Sequence, residues 1–141
     1  MNTQYLALEG IALWLGLLKT NLSTTSLVRL FQSSFVPNSG SSQADFVAAE
    51  ANYDGYTPGG EPLGAWQDPI LGPGTGMSMG SPLVLFETDP AIVTGNLIGG
   101  FWVEDAASKV ITFGKFAAPV PMQVAFQGFP WNCRIALPTG E

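Results

Sequence analysis

Between Leu97 and Phe116 two runs rich in aromatic and β-branched residues flank a short polar turn, and this stretch limits the folds open to the chain more than any other. It reads as a β-hairpin. Asp105 suits the first position of the turn, where its carboxylate can accept from a backbone N–H two residues on. Strict alternation would put Phe101 and Val103 on one face, with Ile98 and Trp102 on the other. The returning strand would set Ile111 and Phe113 against Val110 and Phe116. Both faces then carry large apolar groups, whereas a half-exposed sheet shows one polar face. A second sheet, a helix or another chain must therefore cover each side.

The remaining strands are read from shorter runs. Ser26–Ser33, Pro82–Glu87, Met122–Phe126 and Cys133–Leu137 each read as one strand. Ala65–Gln67 and Pro69–Leu71 are candidates to pair. The stretch Leu71–Gly80 reads as a long mobile or partner-ordered loop. Its glycines Gly72, Gly74 and Gly76 lack the Lys-Ser/Thr sequel of a phosphate-binding loop. Seventeen Gly and eleven Pro in 141 residues favour short strands and turns over long helices. The expected fold is mainly β, an antiparallel β-sandwich or barrel-like domain with an N-terminal helix and one short additional helix.

Tyr5–Leu18 is the most apolar run, and its Leu/Ala content favours that N-terminal helix. Thr3 is the expected N-cap, with Glu9 near the start and Lys19 at the end complementing the dipole. Leu8, Ile11, Leu15 and Leu18 form one stripe, while Leu6, Leu13, Trp14 and Leu17 fill much of the remainder. A helix apolar nearly all round must be covered nearly all round. It is too short for a membrane span of about 20 residues, and no basic residue precedes it as in a signal peptide. Residues 1–22 are thus expected to be an assembly helix inserted among neighbouring subunits, with a helix folded over its own sheet as the alternative, and residues 23–141 one β-rich domain. Ser42-Gln43-Ala44-Asp45 resembles a capping box opening the short helix Ala44–Glu50, with Phe46 inward. The tail from Pro138 is expected to be exposed.

Charge and chemistry exclude whole classes. Net charge is −6, and the five basic residues Lys19, Arg29, Lys109, Lys115 and Arg134 are scattered, so direct nucleic-acid binding is not expected. There is no His, hence no Ser–His–Asp or Cys–His arrangement and no ordinary zinc site. The carboxylate pairs Glu87/Asp89 and Glu104/Asp105 sit beside turns and read as turn residues rather than as a glycosidase pair. Asp45, Glu50 and Asp54 lack EF-hand spacing and read as cap and surface residues. Cys133 alone excludes an intrachain disulfide and reads as a buried small hydrophobe. No catalytic residue, cofactor or metal is expected. Tyr56, Trp66 and Trp131 are candidates to stack on a sugar. Charged residues are 11% of the chain against 46% hydrophobic ones, which gives weak polar cover and favours assembly.

Several segments resemble a family of small phage and prophage structural proteins. Leu27-Val28-Arg29-Leu30-Phe31-Gln32-Ser33-Ser34-Phe35-Val36-Pro37 resembles that family's "LxLFxNxxTPxP" opening, with Gln32-Ser33 in place of the usual Lys-Asn. Ala44 to Tyr56 is similar to its "LADFxEAxFxGY" segment. Gly99-Gly100-Phe101-Trp102-Val103 followed by Asp105-Ala106-Ala107 resembles its "GYYVTDAAG" hairpin, and Phe116, Pro119 and Met122 its closing segment. The resemblance covers residues 27–56 and 96–137. It implies a non-enzymatic virion protein of a bacteriophage, a capsid decoration or cement protein bound to the particle as a homo-oligomer. The partners would be other copies and virion proteins such as the major capsid protein. A phage spike or tail component, or a carbohydrate- or receptor-binding β module, is the alternative. The residues expected at the assembly interface are Leu8, Ile11, Trp14, Leu15, Leu18, Phe101, Trp102 and Phe113.

Overall fold

The computed structural model describes residues 3–140, a mainly β chain with two helices among them. Helix α1 (Leu8–Thr24) leads into strand β1 (Ser26–Gln32), followed by helix α2 (Gln43–Ala48) and strands β2 (Glu61–Leu63), β3 (Ile70–Leu71), β4 (Met77–Gly80) and β5 (Val84–Glu87). The hairpin β6 (Asn96–Asp105) and β7 (Val110–Met122) comes next, then β8 (Gly128–Trp131) and β9 (Arg134–Leu137). All described pairings are antiparallel. The main sheet has the order β2-β1-β6-β7, and smaller sheets β3-β4-β9 and β5-β8 complete a sandwich-like arrangement. The main sheet ends on β2 and β7, so no closed barrel forms. No described helix is long and apolar enough to cross a membrane.

The chain itself covers both faces of the hairpin. On one face Ile98, Val103, Phe101 and Ile111 join the large core with Ile11, Leu15 and Leu22 of α1. On the other, Phe31 and Trp102 enclose Phe46 of α2, with Phe35, Val110 and Phe113 against them. Ring centroids there lie 5.2 Å (Phe46–Trp102) and 5.4 Å (Phe46–Phe113) apart. The Ser42/Asp45 capping box is formed, and it aims Phe46 inward.

Two bulges re-sort the hairpin faces. The register shifts between Ile98 and Gly100, and again between Val103 and Glu104. Each inserted residue reverses the parity of the residues after it. Phe101 and Val103 do share a face, but Ile98 joins them while Trp102 faces α2. On β7, Val110 and Phe113 share the α2 side, and Ile111 and Phe116 the other. Gly99 sits where a Cβ would lie 2.7 Å from Ser33 Cα, so the bulge depends on glycine.

Other expectations shift for tertiary reasons. Helix α1 starts at Leu8 with Ala7 in the N-cap position and no side-chain cap; Thr3 lies well before it. The helix also runs to Thr24, across the expected boundary at residue 22, which leaves Lys19 inside it and bonded to Asp68 at 2.6 Å. Leu71–Gly80 is no free loop, because β4 pairs on both sides with β3 and β9. Gly76 permits this, since a Cβ there would stand 1.9 Å from the carbonyl oxygen of Leu137. Ala65–Gln67 forms no strand, and residues 123–127 turn the chain after β7 ends at Met122. Strand β8 replaces the one expected at Met122–Phe126. In the tail Thr139 is buried, and its carbonyl accepts the Leu6 N–H at 3.0 Å.

Candidate assembly surface and the buried charge cluster

Helix α1 carries two apolar stripes on opposite sides. Ile11, Leu15 and Leu22 point into the core and are wholly buried, with Leu18 packed against them. At 100° per residue, Leu13, Trp14 and Leu17 fall on the far side with Gly10 between them. Those three are 63, 67 and 64% exposed, and an added Cβ at Gly10 would meet nothing within 4 Å. Glu9 flanks this stripe and nothing charged lies within it; Thr20, Asn21 and Thr24 continue it as a polar strip. Leu8, in the first turn on the side of the buried stripe, is 42% exposed.

Of the eight residues expected at an interface, only Leu8 and Trp14 lie at the surface. Ile11, Leu15 and Trp102 have no exposure at all, and Leu18, Phe101 and Phe113 are packed against the two cores. The stripe selected by periodicity is the one the monomer uses for itself. Leu13 and Leu17 escape sequence reasoning because composition cannot rank two stripes on one helix. The candidate stacking residues are inside as well: Tyr56, Trp66 and Trp131 retain 8, 2 and 3% of their surface. Trp66 donates its backbone N–H to Ser23 Oγ (3.0 Å), and Trp131 packs edge-on to Phe101 (5.1 Å).

Two acids expected at turns or on the surface meet instead on Arg29, which projects from the middle of β1. Arg29 Nη1 donates to Glu104 Oε1 at 3.0 Å, Nε donates to Glu50 Oε1 at 3.1 Å, and Nη2 donates to Glu50 Oε2. The guanidinium lies 5.0 Å over the Trp102 ring. Tyr56 Oη (2.8 Å) and Gly59 N–H (3.2 Å) donate to Glu50 Oε1. Trp102 Nε1 (3.0 Å) and Gln43 Nε2 (3.4 Å) donate to Glu104 Oε2. Burial acts against the Arg29 charge, but hydrogen bonds and attraction from Glu50 and Glu104 outweigh it and raise its pKa. Burial also raises the Tyr56 phenol. All four carboxylate oxygens of Glu50 and Glu104 are occupied by donors. The cluster is a clamp joining β1, β6, the start of α2 and the 50–59 segment. A lone Arg inside the apolar run Leu27–Phe31 was the sequence signal for it, because a charge in a covered strand requires a partner.

The other acids are local. Asp105 holds its turn, accepting from Ala107 N–H (2.9 Å) and Lys109 N–H (3.0 Å). Asp45 caps α2, and Asp54 accepts from Val93 N–H (2.6 Å) and Thr94 N–H (2.9 Å). Glu87 and Asp89 line an open depression of about 460 Å³ beside Phe126 and Gln127. No three His, Cys, Asp or Glu among the described residues are grouped to hold a metal ion. Cys133 is half-buried, its thiol pushed up to about 11 by burial.

The chain matches no family model, no curated protein and no solved structure.

Proposed function

We propose that this chain is a non-enzymatic structural protein of a bacteriophage virion, a capsid decoration protein held on the particle as a homo-oligomer through the outward stripe of α1. One observation carries the reading. The monomer completes its core with one side of α1 and leaves Leu13, Trp14 and Leu17 uncovered and uncharged on the other. An apolar stripe of this kind marks a protein contact more readily than a wetted surface. Its lack of charge matters in a chain of net charge −6, since copies that repel at long range can still meet along a neutral seam. Repeated identical contacts on a shell multiply a modest single-site affinity. The resemblance of residues 27–56 and 96–137 to phage structural proteins supports a virion as the setting.

The test is light scattering after size exclusion, together with co-sedimentation on phage particles. The double variant Leu13→Asp/Leu17→Asp should stay folded, because both side chains are exposed, yet run as a monomer and remain in the supernatant. A wild-type protein that stays monomeric at high concentration, with both forms binding particles equally, would sink the reading.

One observation favours a ligand-binding module as a second reading. Phe126 is 88% exposed with φ at +61°, and it stands beside the depression lined by Glu87, Asp89 and Gln127. An exposed aromatic ring with neighbouring carboxylate and amide groups suits stacking on a sugar. Glycan binding abolished by Phe126→Ala, and untouched by the α1 double variant, would favour it.

A further inference from the structure

The main sheet ends on β7, and the outer edge of that strand has no partner among the described residues. β7 pairs with β6 alone, and its main chain makes no hydrogen bond to another described element. The hairpin determines which groups face outward. Asp105 N–H bonds to the Lys109 carbonyl, so Val103 and Phe101, two and four residues back, also turn their N–H and C=O toward β7. Their partners Thr112 and Gly114 face back, and Phe113 and Lys115 turn theirs away from the sheet.

Sheets protect such edges with proline, charge and bulges. Here the prolines, Pro119 and Pro121, are confined to the second half of β7, beside the register shift at Ile98/Gly100. The first half, Val110-Ile111-Thr112-Phe113-Gly114-Lys115, keeps every N–H and has strong strand propensity. Val110 to Phe113, together with Ser39 and Ser41, line an open depression of about 300 Å³. An added strand has both a hydrogen-bonding edge and space to lie in.

Charge decides the occupant. From Ala106 to Gly140 the chain has no Asp or Glu, but it has Lys109, Lys115 and Arg134. Lys109 and Lys115 bracket the open edge, are exposed, and form no ion pair among the described residues. The nearest acids in sequence are engaged elsewhere, Asp105 in its turn and Glu104 on Arg29. Pairing this edge with the same edge of a second copy would bring four lysines together. We propose that the outer edge of Val110–Lys115 receives an extended acidic segment of a partner protein by strand addition, with main-chain bonds supplying affinity and the two lysines supplying selectivity. This surface is separate from α1 and does not depend on the use made of that helix.

The test uses the full chain and a peptide probe, acetyl-Glu-Thr-Val-Thr-Val-Thr-Glu-amide, with a control carrying Lys at both Glu positions. Amide exchange by NMR reads the edge directly. Saturating acidic peptide should slow exchange at Phe113 and Lys115 at least about tenfold, as formation of a hydrogen bond requires, and the lysine peptide should not. Lys109→Glu/Lys115→Glu should reverse that preference without unfolding the protein, since both side chains are exposed. The α1 double variant should bind the acidic peptide like wild type, so failure here leaves the α1 reading standing. Unchanged exchange at millimolar peptide would overturn the proposal. So would Phe113 protection that rises with protein concentration in the absence of peptide, which would assign the edge to a second copy.

Discussion

Arg29 and Glu104 are 75 residues apart in sequence, yet Arg29 Nη1 lies 3.0 Å from Glu104 Oε1 in a site where Glu104 keeps 3% of its surface. This bond spans adjacent strands of the main sheet, and Glu50 closes the other side of the guanidinium. Removing one member of a buried pair leaves an uncompensated charge and costs about 3–5 kcal/mol. Arg29→Met should be the more damaging change, because it leaves two carboxylates facing each other. Glu104→Gln should cost less, since Glu50 still neutralises Arg29. The exposed pair Lys19–Asp68 serves as the contrast, and Lys19→Ala should leave the urea midpoint where it is. Urea unfolding of the three variants orders them; equal midpoints for all three would refute the clamp.

Two glycine substitutions should move stability in opposite directions. Gly60 has φ at +90°, and a Cβ there would stand 2.4 Å from the Val28 carbonyl oxygen. That oxygen belongs to a paired strand and cannot give way, so Gly60→Ala should cost more than about 1 kcal/mol. Gly16 lies inside α1 with nothing within 4 Å of an added Cβ. Gly16→Ala should therefore stabilise by about 0.5–1 kcal/mol through helix propensity alone. Thermal unfolding by circular dichroism checks both.

The four tryptophans divide cleanly by environment. Trp14 is 67% exposed, whereas Trp66, Trp102 and Trp131 have 2, 0 and 3% of their surface open. Iodide should quench one red-shifted component in dilute protein, and Trp14→Phe should remove that component. Under the proposed assembly, the same component should become protected as concentration rises. Quenching that persists unchanged in the oligomer would mean that α1 faces solvent there.

Asp54 governs part of the acid limb of stability. The N–H groups of Thr94 and Val93 hold its carboxyl below the usual value. A carboxyl with a depressed folded pKa contributes stability that is fully present above the unfolded value of about 4 and is lost as pH falls through the lower folded value. Asp54→Asn should lower the unfolding midpoint at neutral pH and flatten its decline below about pH 4. Denaturant melts across that range measure both effects; a variant curve parallel to wild type would remove Asp54 from the account.

Composition and local pattern were enough for the class of fold and for several of its parts. Phe101 and Val103 share a face, Asp105 holds the turn, and Ser42 with Asp45 caps α2, because each depends on neighbours within a few residues. The stripe of α1 built on Ile11 and Leu15 was visible at helical spacing, but sequence reasoning assigns it to an interface rather than to the core. What tertiary structure decided is everything that required knowing which distant segment arrives. Pairing with β9 made a strand of Met77–Gly80, and Arg29 drew Glu50 and Glu104 out of the surface set. The two bulges moved Ile98 and Val110 to faces that period-two counting denies them. Helix periodicity cannot tell which of two apolar stripes meets the core, because both satisfy it equally; the sheet below α1 took Ile11, Leu15 and Leu22 and left Leu13, Trp14 and Leu17 outside. Local sequence sets short-range geometry through backbone preference and side-chain spacing, while burial is a property of the assembled chain and is fixed only when the sheets close.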